Sequence, residues 1–162
     1  MPADLDFEFK LNAAPEKVFN LLCEEEYLSD KVALASAGDF QITGDPPNLK
    51  VKVTRVLDTE LPEMVKRVVG DNLTATETYR WSKKSKNEFF ANFDLEILHA
   101  PVEIKGLVLL TGDRDTSVKV AAKVKVHIPI FGAVAEPEVV KQIIKVLQDE
   151  ELLCNKAIEK TT

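Results

Sequence analysis

The last part of the chain sets the strongest constraint. Ala133–Lys160 contains one proline, Pro137, and no glycine, and as a continuous helix it would extend about 42 Å. Val140, Ile143, Ile144, Leu147, Cys154, Ala157 and Ile158 recur along it at helical spacing, which makes an apolar stripe. A stripe that long has to be covered by another layer. Pro137 lacks a backbone donor, so the regular helix is expected to begin near it.

What precedes the helix reads almost entirely as strand. Leu5, Phe7, Phe9 and Leu11 alternate with Asp6, Glu8 and Lys10, the mark of a strand with one wet face. Pro15 suits a first helical turn, with Val18, Phe19 and Leu22 behind it, and Tyr27, Leu28, Val32 and Leu34 outline a second short helix. Strands are expected at Phe40–Thr43 and Leu49–Leu57 around the turn Gly44-Asp45-Pro46-Pro47-Asn48. Leu61–Val69 has helical spacing and is stopped by Gly70-Asp71-Asn72. Long strands follow at Leu73–Trp81, Glu88–Leu98, Val102–Thr111 and Thr116–Ile128. Their turns are expected at Lys83–Asn87 and His99-Ala100-Pro101. Pro129 and Gly132 end the last strand.

Composition narrows the classes. The chain has 162 residues, 45% of them hydrophobic and 30% charged, with a net charge of −6. This is globular composition, and the length suits a single domain over residues 1–162. The apolar runs are too short to span a membrane, so no integral membrane association is expected. Nothing at the N-terminus resembles a secretion signal, and a cytoplasmic location is expected. Lys and Arg are spread out rather than gathered on one surface, which argues against nucleic acid. The acidic runs Glu24-Glu25-Glu26 and Asp149-Glu150-Glu151 read as solvated helix faces.

The order strand, two short helices, six strands and long helix resembles the helix-grip fold of the START and birch-pollen-allergen superfamily. Within it the chain looks like an uncharacterised actinobacterial family. The residues that carry the likeness are Phe7–Leu11, the helix start Ala14-Pro15-Glu16-Lys17-Val18-Phe19, Tyr79-Arg80-Trp81, and the junction Ile128-Pro129-Ile130-Phe131-Gly132. The resemblance implies an α+β architecture, a curved seven-stranded antiparallel sheet around the long C-terminal helix, often enclosing an apolar cavity. It implies no catalytic set, since members range from lipid carriers to polyketide cyclases and partner-binding domains.

Few residues offer chemistry. Cys23 and Cys154 fall at or near apolar helix positions without a neighbouring His, and they read as small hydrophobes. His99 lies in a turn and His127 on a lysine-bearing strand face, so neither a metal site nor a metal cofactor is expected. Thr111-Gly112-Asp113 is a turn and not a phosphate loop.

Arg55 and Glu77 are different, because each sits in the apolar phase of its strand. Antiparallel pairing is expected to set Arg55 opposite Glu77, and Trp81 opposite Phe89 with Glu77 beside Phe93. Either a twist or bulge carries both charges to solvent, or they form an ion pair inside a cavity, where an unpaired charge would cost several kcal/mol.

The first reading is therefore a non-catalytic carrier of an apolar or amphipathic, lipid-like small molecule. Its ligand contacts are expected at Arg55, Met64, Val68, Glu77, Tyr79, Trp81, Phe93, Val108, Val124 and Ile144. Phe7, Phe9, Tyr79, Phe93, Val108 and Val124 would face Val140, Ile144 and Leu147 across a cavity of at least about 300 Å³. Pro62–Val69, with Leu61, would be a lid hinged at Asp58-Thr59-Glu60 and Gly70-Asp71-Asn72. The alternatives are a cyclase or dehydratase using Arg55, Glu77 and Tyr79, and a protein-interaction domain with a closed core. No organic cofactor is expected. On the outer face, Glu8 and Lys10 are expected beside Lys123 and Lys125. Phe90, Leu107, Leu109 and Ala121 form an apolar cluster there, which points to a homodimer.

Overall fold

A computed structural model describes residues 2–57, 62–69 and 73–160. Strand β1 (Ala3–Leu11) leads into helices α1 (Pro15–Leu22) and α2 (Glu25–Ala33). Strands β2 (Ala37–Asp45) and β3 (Asn48–Leu57) follow, then the short helix α3 (Glu63–Val69). Strands β4 (Leu73–Ser85), β5 (Glu88–Ile97), β6 (Val102–Gly112) and β7 (Thr116–Val126) precede the long helix α4 (Phe131–Lys160). All seven strands join one antiparallel sheet in the order β1-β7-β6-β5-β4-β3-β2, and the sheet curves around α4. This is the helix-grip fold.

The hairpin β5–β6–β7 has the expected register, with Phe90 opposite Leu109, Asn92 opposite Leu107, and Leu107 opposite Ala121. The other registers differ. Val53, not Arg55, faces Glu77, while Arg55 faces Ala75. No tight hairpin joins β3 to β4, since α3 lies between them, so no turn holds their register. Leu95 rather than Phe93 faces Glu77, and Trp81 faces Ala91 rather than Phe89. Here β4 runs on to Ser85, with an irregularity between Lys83 and Ser85, and the turn narrows to Lys86-Asn87. Such an irregularity shifts every pair beyond it. On the edge, Asp4 faces Lys123 and Glu8 faces Lys119, so the expected neighbours of Glu8 and Lys10 are also shifted. β1 and β7 are far apart in sequence, and again no turn fixes their pairing.

Helix α4 begins at Phe131, six residues before Pro137. The proline forfeits one backbone bond, but packing holds the preceding turn. Gly132 lies so close to β7 that a Cβ on it would stand 2.2 Å from the Val126 carbonyl oxygen. Ala135 is fully buried, and the buried Glu136 carboxylate accepts the Val126 N–H at 2.8 Å. The sharp entrance to α4 leaves Ile130 at φ 67° and almost wholly exposed. That conformation is rare for a β-branched residue.

One end of the sheet is closed by α1. Its first turn carries Pro15, and Val18, Phe19 and Leu21 are buried at helical spacing. The Phe19 ring stacks on Phe89 with centroids 4.7 Å apart and meets Trp81 edge-on at 5.6 Å. Pairs of this kind add about 1 kcal/mol each beyond their burial. No helix among the described residues is long and apolar enough to cross a membrane.

Candidate functional site

Between the concave face and α4 lies a cavity of about 340 Å³. It falls within the usual range for small-molecule sites. Its wall is mainly apolar, built from inward residues of every strand except β2 and from all four helices. Small residues leave the space: Ala75 and Ala122 line it.

Four charges from four different elements meet in this wall. Arg55 Nη2 of β3 donates to Glu77 Oε2 of β4 at 2.6 Å and to Glu150 Oε1 of α4 at 3.0 Å. Lys31 Nζ of α2 lies 3.3 Å from Glu77 Oε1 and 3.4 Å from Glu150 Oε1. The Tyr79 hydroxyl donates to Glu77 Oε1 at 2.6 Å, and Lys31 Nζ sits 4.9 Å from the centre of the Tyr79 ring. Beyond Glu150, the Cys154 thiol lies 3.4 Å from the Tyr27 hydroxyl. All four charged residues are under 9% exposed, and their formal charges cancel. Arg55 Nε is buried without a hydrogen-bond partner among the described residues.

The surroundings set the protonation states. Burial alone would raise the Glu77 carboxyl, but Lys31, Arg55 and the Tyr79 hydroxyl outweigh it and hold its pKa down to about 2. Burial, then the charge of Glu77, pushes the Tyr79 hydroxyl well above its usual value. Burial likewise raises the thiols, Cys154 to about 11 and Cys23 to about 12. Neither thiol is a ready nucleophile at neutral pH.

Arg55 and Glu77 thus meet as an ion pair although the register separates them by one diagonal step, because their long side chains span it. Of the residues expected to contact ligand, Arg55, Glu77, Tyr79, Trp81, Phe93 and Val108 line the cavity. Four lie elsewhere. Val124 is wholly buried away from the cavity, opposite Ala3 and Ile104. Ile144 is off the lining face because α4 is turned by about one residue from the expected stripe. The cavity meets Val139, Ile143, Val146 and Leu147, and Val139 is more buried than Val140. On α3 it is Val65 that lines the cavity; Val68 is buried in the core and Met64 packs against its edge. Leu61 and the hinges expected at 58–60 and 70–72 lie outside the described residues.

Lys31 and Glu150 escape the strand-based reading, and Glu150 is not the solvated residue its acidic run suggests. The signal was present in helical phase. Lys31 follows Tyr27 and Leu28 on the buried side of α2, and Glu150 falls between Leu147 and Cys154 on the inner face of α4. A polar residue in an apolar helical stripe carries the same information as one in an apolar strand phase.

Comparison with known proteins agrees with the architecture. The solved structure of Zhui aromatase/cyclase from Streptomyces sp. R1128 superposes with a TM-score of 0.67 at 12% identity, over 100% of this chain and 97% of that one. Norcoclaurine synthase from Thalictrum flavum, solved with dopamine and hydroxybenzaldehyde, gives 0.58 at 13% identity over 98% and 88%. A START superfamily protein from Mycobacterium smegmatis gives 0.56 at 10% identity over 98% and 99%. Identities this low establish a shared fold and nothing finer. No curated protein matches the sequence. Residues 6–158 match the family described as "Protein of unknown function (DUF2505)". With its helix-grip fold and almost its whole length matched, the chain belongs to the DUF2505 family.

Proposed function

We propose that the protein binds and carries an apolar or amphipathic, lipid-like small molecule in the cavity between sheet and α4. The observation behind this reading is the cavity itself, about 340 Å³ with a mainly apolar wall into which the Lys31, Arg55, Glu77 and Glu150 cluster is set. Apolar walls supply affinity, and a few placed polar groups orient the ligand. Helix α3, which packs against α4 and puts Val65 in the wall, is the lid in this proposal. The two free thiols suit a reducing cytoplasm. Solvent extraction of the purified protein followed by mass spectrometry should recover a stoichiometric apolar compound, or an apolar fluorophore should bind at one site. Neither result from a folded sample would defeat the proposal.

A cyclase or dehydratase reading draws support from the 2.6 Å Tyr79–Glu77 contact in the cavity wall and from the likeness in fold to an aromatase/cyclase. The electrostatics weigh against it. A carboxyl held at about 2 is a weak base, and a phenol pushed above its usual value is a weak acid. General acid–base catalysis works best with groups poised near the operating pH.

For the outer face we propose a second copy of the chain as partner. Leu107 is exposed at 37% and is flanked by Phe90, Leu109 and Ala121. Acidic Glu88, Asp94 and Glu96 on β5 and basic Lys119, Lys123 and Lys125 on β7 border this strip with the same outward parity. A two-fold axis along β6 lays β5 of one copy over β7 of the other and brings Asp94 and Glu96 to the level of Lys123 and Lys125. Leu109→Lys should convert a sedimenting dimer to monomer. A wild-type protein already monomeric at high micromolar concentration would refute the pairing.

A further inference from the structure

We propose that the polar end of the cavity ligand is an uncharged hydroxyl, recognised by Glu150 and Tyr27, and not a carboxylate. This rests on the carrier reading above and specifies its ligand class.

The donors and acceptors of the wall carry the inference. Both cations are already committed. Lys31 lies within ion-pair distance of both carboxylates and stands over the Tyr79 ring. Arg55 Nη2 serves the same two carboxylates, and its orphan Nε is too buried to be reached. The Tyr79 proton is spent on Glu77. An incoming carboxylate would therefore find no free cation among the described residues at this spot, and it would add a negative charge to a group that is neutral as it stands. Burying a charge without a partner costs several kcal/mol.

Glu150 is less fully used. Among the described residues both of its ionic contacts fall on Oε1, so Oε2 takes part in neither. Glu150 lines the cavity, as do Tyr27 and Cys154. Cys154 is about one helical turn along α4 from Glu150 and touches the Tyr27 hydroxyl. A carboxylate oxygen only accepts, and a tyrosine hydroxyl can donate and accept. An alcohol or phenol on the ligand supplies both halves of that exchange, giving its proton to Glu150 and taking one from Tyr27. An ammonium group would also donate to Glu150, but it cannot accept from Tyr27 and would leave the cluster with a net positive charge. The cluster thus selects one head group of the three.

The test uses the full chain and three matched probes, 1-decanol, decanoate and decylamine, titrated at neutral pH by displacement of a bound apolar fluorophore. Decanol should bind at least about tenfold tighter than either charged probe, a difference of about 1.4 kcal/mol. Glu150→Gln leaves the cluster with an excess positive charge, so decanoate should gain affinity and decanol should lose it. Circular dichroism establishes that the variant is folded. If the variant does not fold, the three wild-type affinities decide alone. Decanoate binding as tightly as decanol, for example by pairing with the exposed rim residue Lys145, overturns the head-group assignment and leaves carriage intact. Failure of all three probes to displace the fluorophore overturns both.

Discussion

Replacing Glu77 by glutamine tests the buried cluster most directly. The change keeps the shape of the side chain and an oxygen for the Tyr79 hydroxyl, but it removes one of two negative charges that face Lys31 and Arg55. Those cations lie 3.3 and 2.6 Å from the carboxylate, and each is under 9% exposed. Glu150 would be left to balance two positive charges in a site that water hardly reaches. Breaking a buried ion pair from one side costs about 3–5 kcal/mol, and a domain of this size has about 5–15 kcal/mol in all. Glu77→Gln should therefore lower Tm by roughly 10 °C, at about 2–4 °C per kcal/mol for a chain of this length. The acid limb supplies a second reading. The Glu77 carboxyl is at about 2 in the folded protein against an ordinary 4.5. Between those values the unfolded chain binds the extra proton, so this contribution is complete above pH 4.5 and lost as the pH falls toward 2. The glutamine variant should show a shallower acid limb. Replacing Lys31, Arg55, Glu77 and Glu150 together by Met or Leu, with Tyr79→Phe, should recover much of the lost stability, because an apolar cluster leaves no charge unpaired. Thermal and urea melts across this pH range measure all three. A Glu77→Gln protein within about 1 kcal/mol of wild type, far below the cost of a broken buried pair, would refute the reasoning.

The remaining expectations are simpler. Gly106→Val should destabilise the sheet by about 1–3 kcal/mol or more, because a Cβ there would stand 2.2 Å from the Ala121 carbonyl oxygen and 2.7 Å from Ala122 Cα; urea unfolding measures it. Thr116→Val deletes a buried 2.7 Å bond to the Ala13 carbonyl and should cost about 1–3 kcal/mol by leaving that oxygen unpaired. Cys23 and Cys154, raised to about 12 and about 11 by burial, should resist iodoacetamide in the native protein at pH 8 and react promptly in denaturant. Fast native alkylation would contradict their burial.

Local pattern alone determined much of this protein. Alternation in Leu5–Leu11 and Thr116–Ile128, Pro15 at the head of α1 and the glycine-free C-terminal stretch all report short-range physics, and each yields an element of the expected type, although β7 stops at Val126 and α4 starts at Phe131. Short turns fixed the β5–β6–β7 registers for the same reason. Arg55 and Glu77 announced themselves as polar residues in an apolar strand phase. What tertiary structure alone decided is how distant elements meet. The β1–β7 and β3–β4 registers have no tight turn to specify them, and both differ from the expected pairing. The start of α4 depends on Gly132 and Glu136 reaching β7, contacts stronger than the local preference of Pro137 to come first. The site depends on distance in the same way. Lys31 and Glu150 are 46 and 73 residues from Glu77 in the chain, and each reads locally as an ordinary charged helix residue. Only the packing of α2 and α4 against the sheet removes water from both, and without water two carboxylates and two cations must neutralise one another.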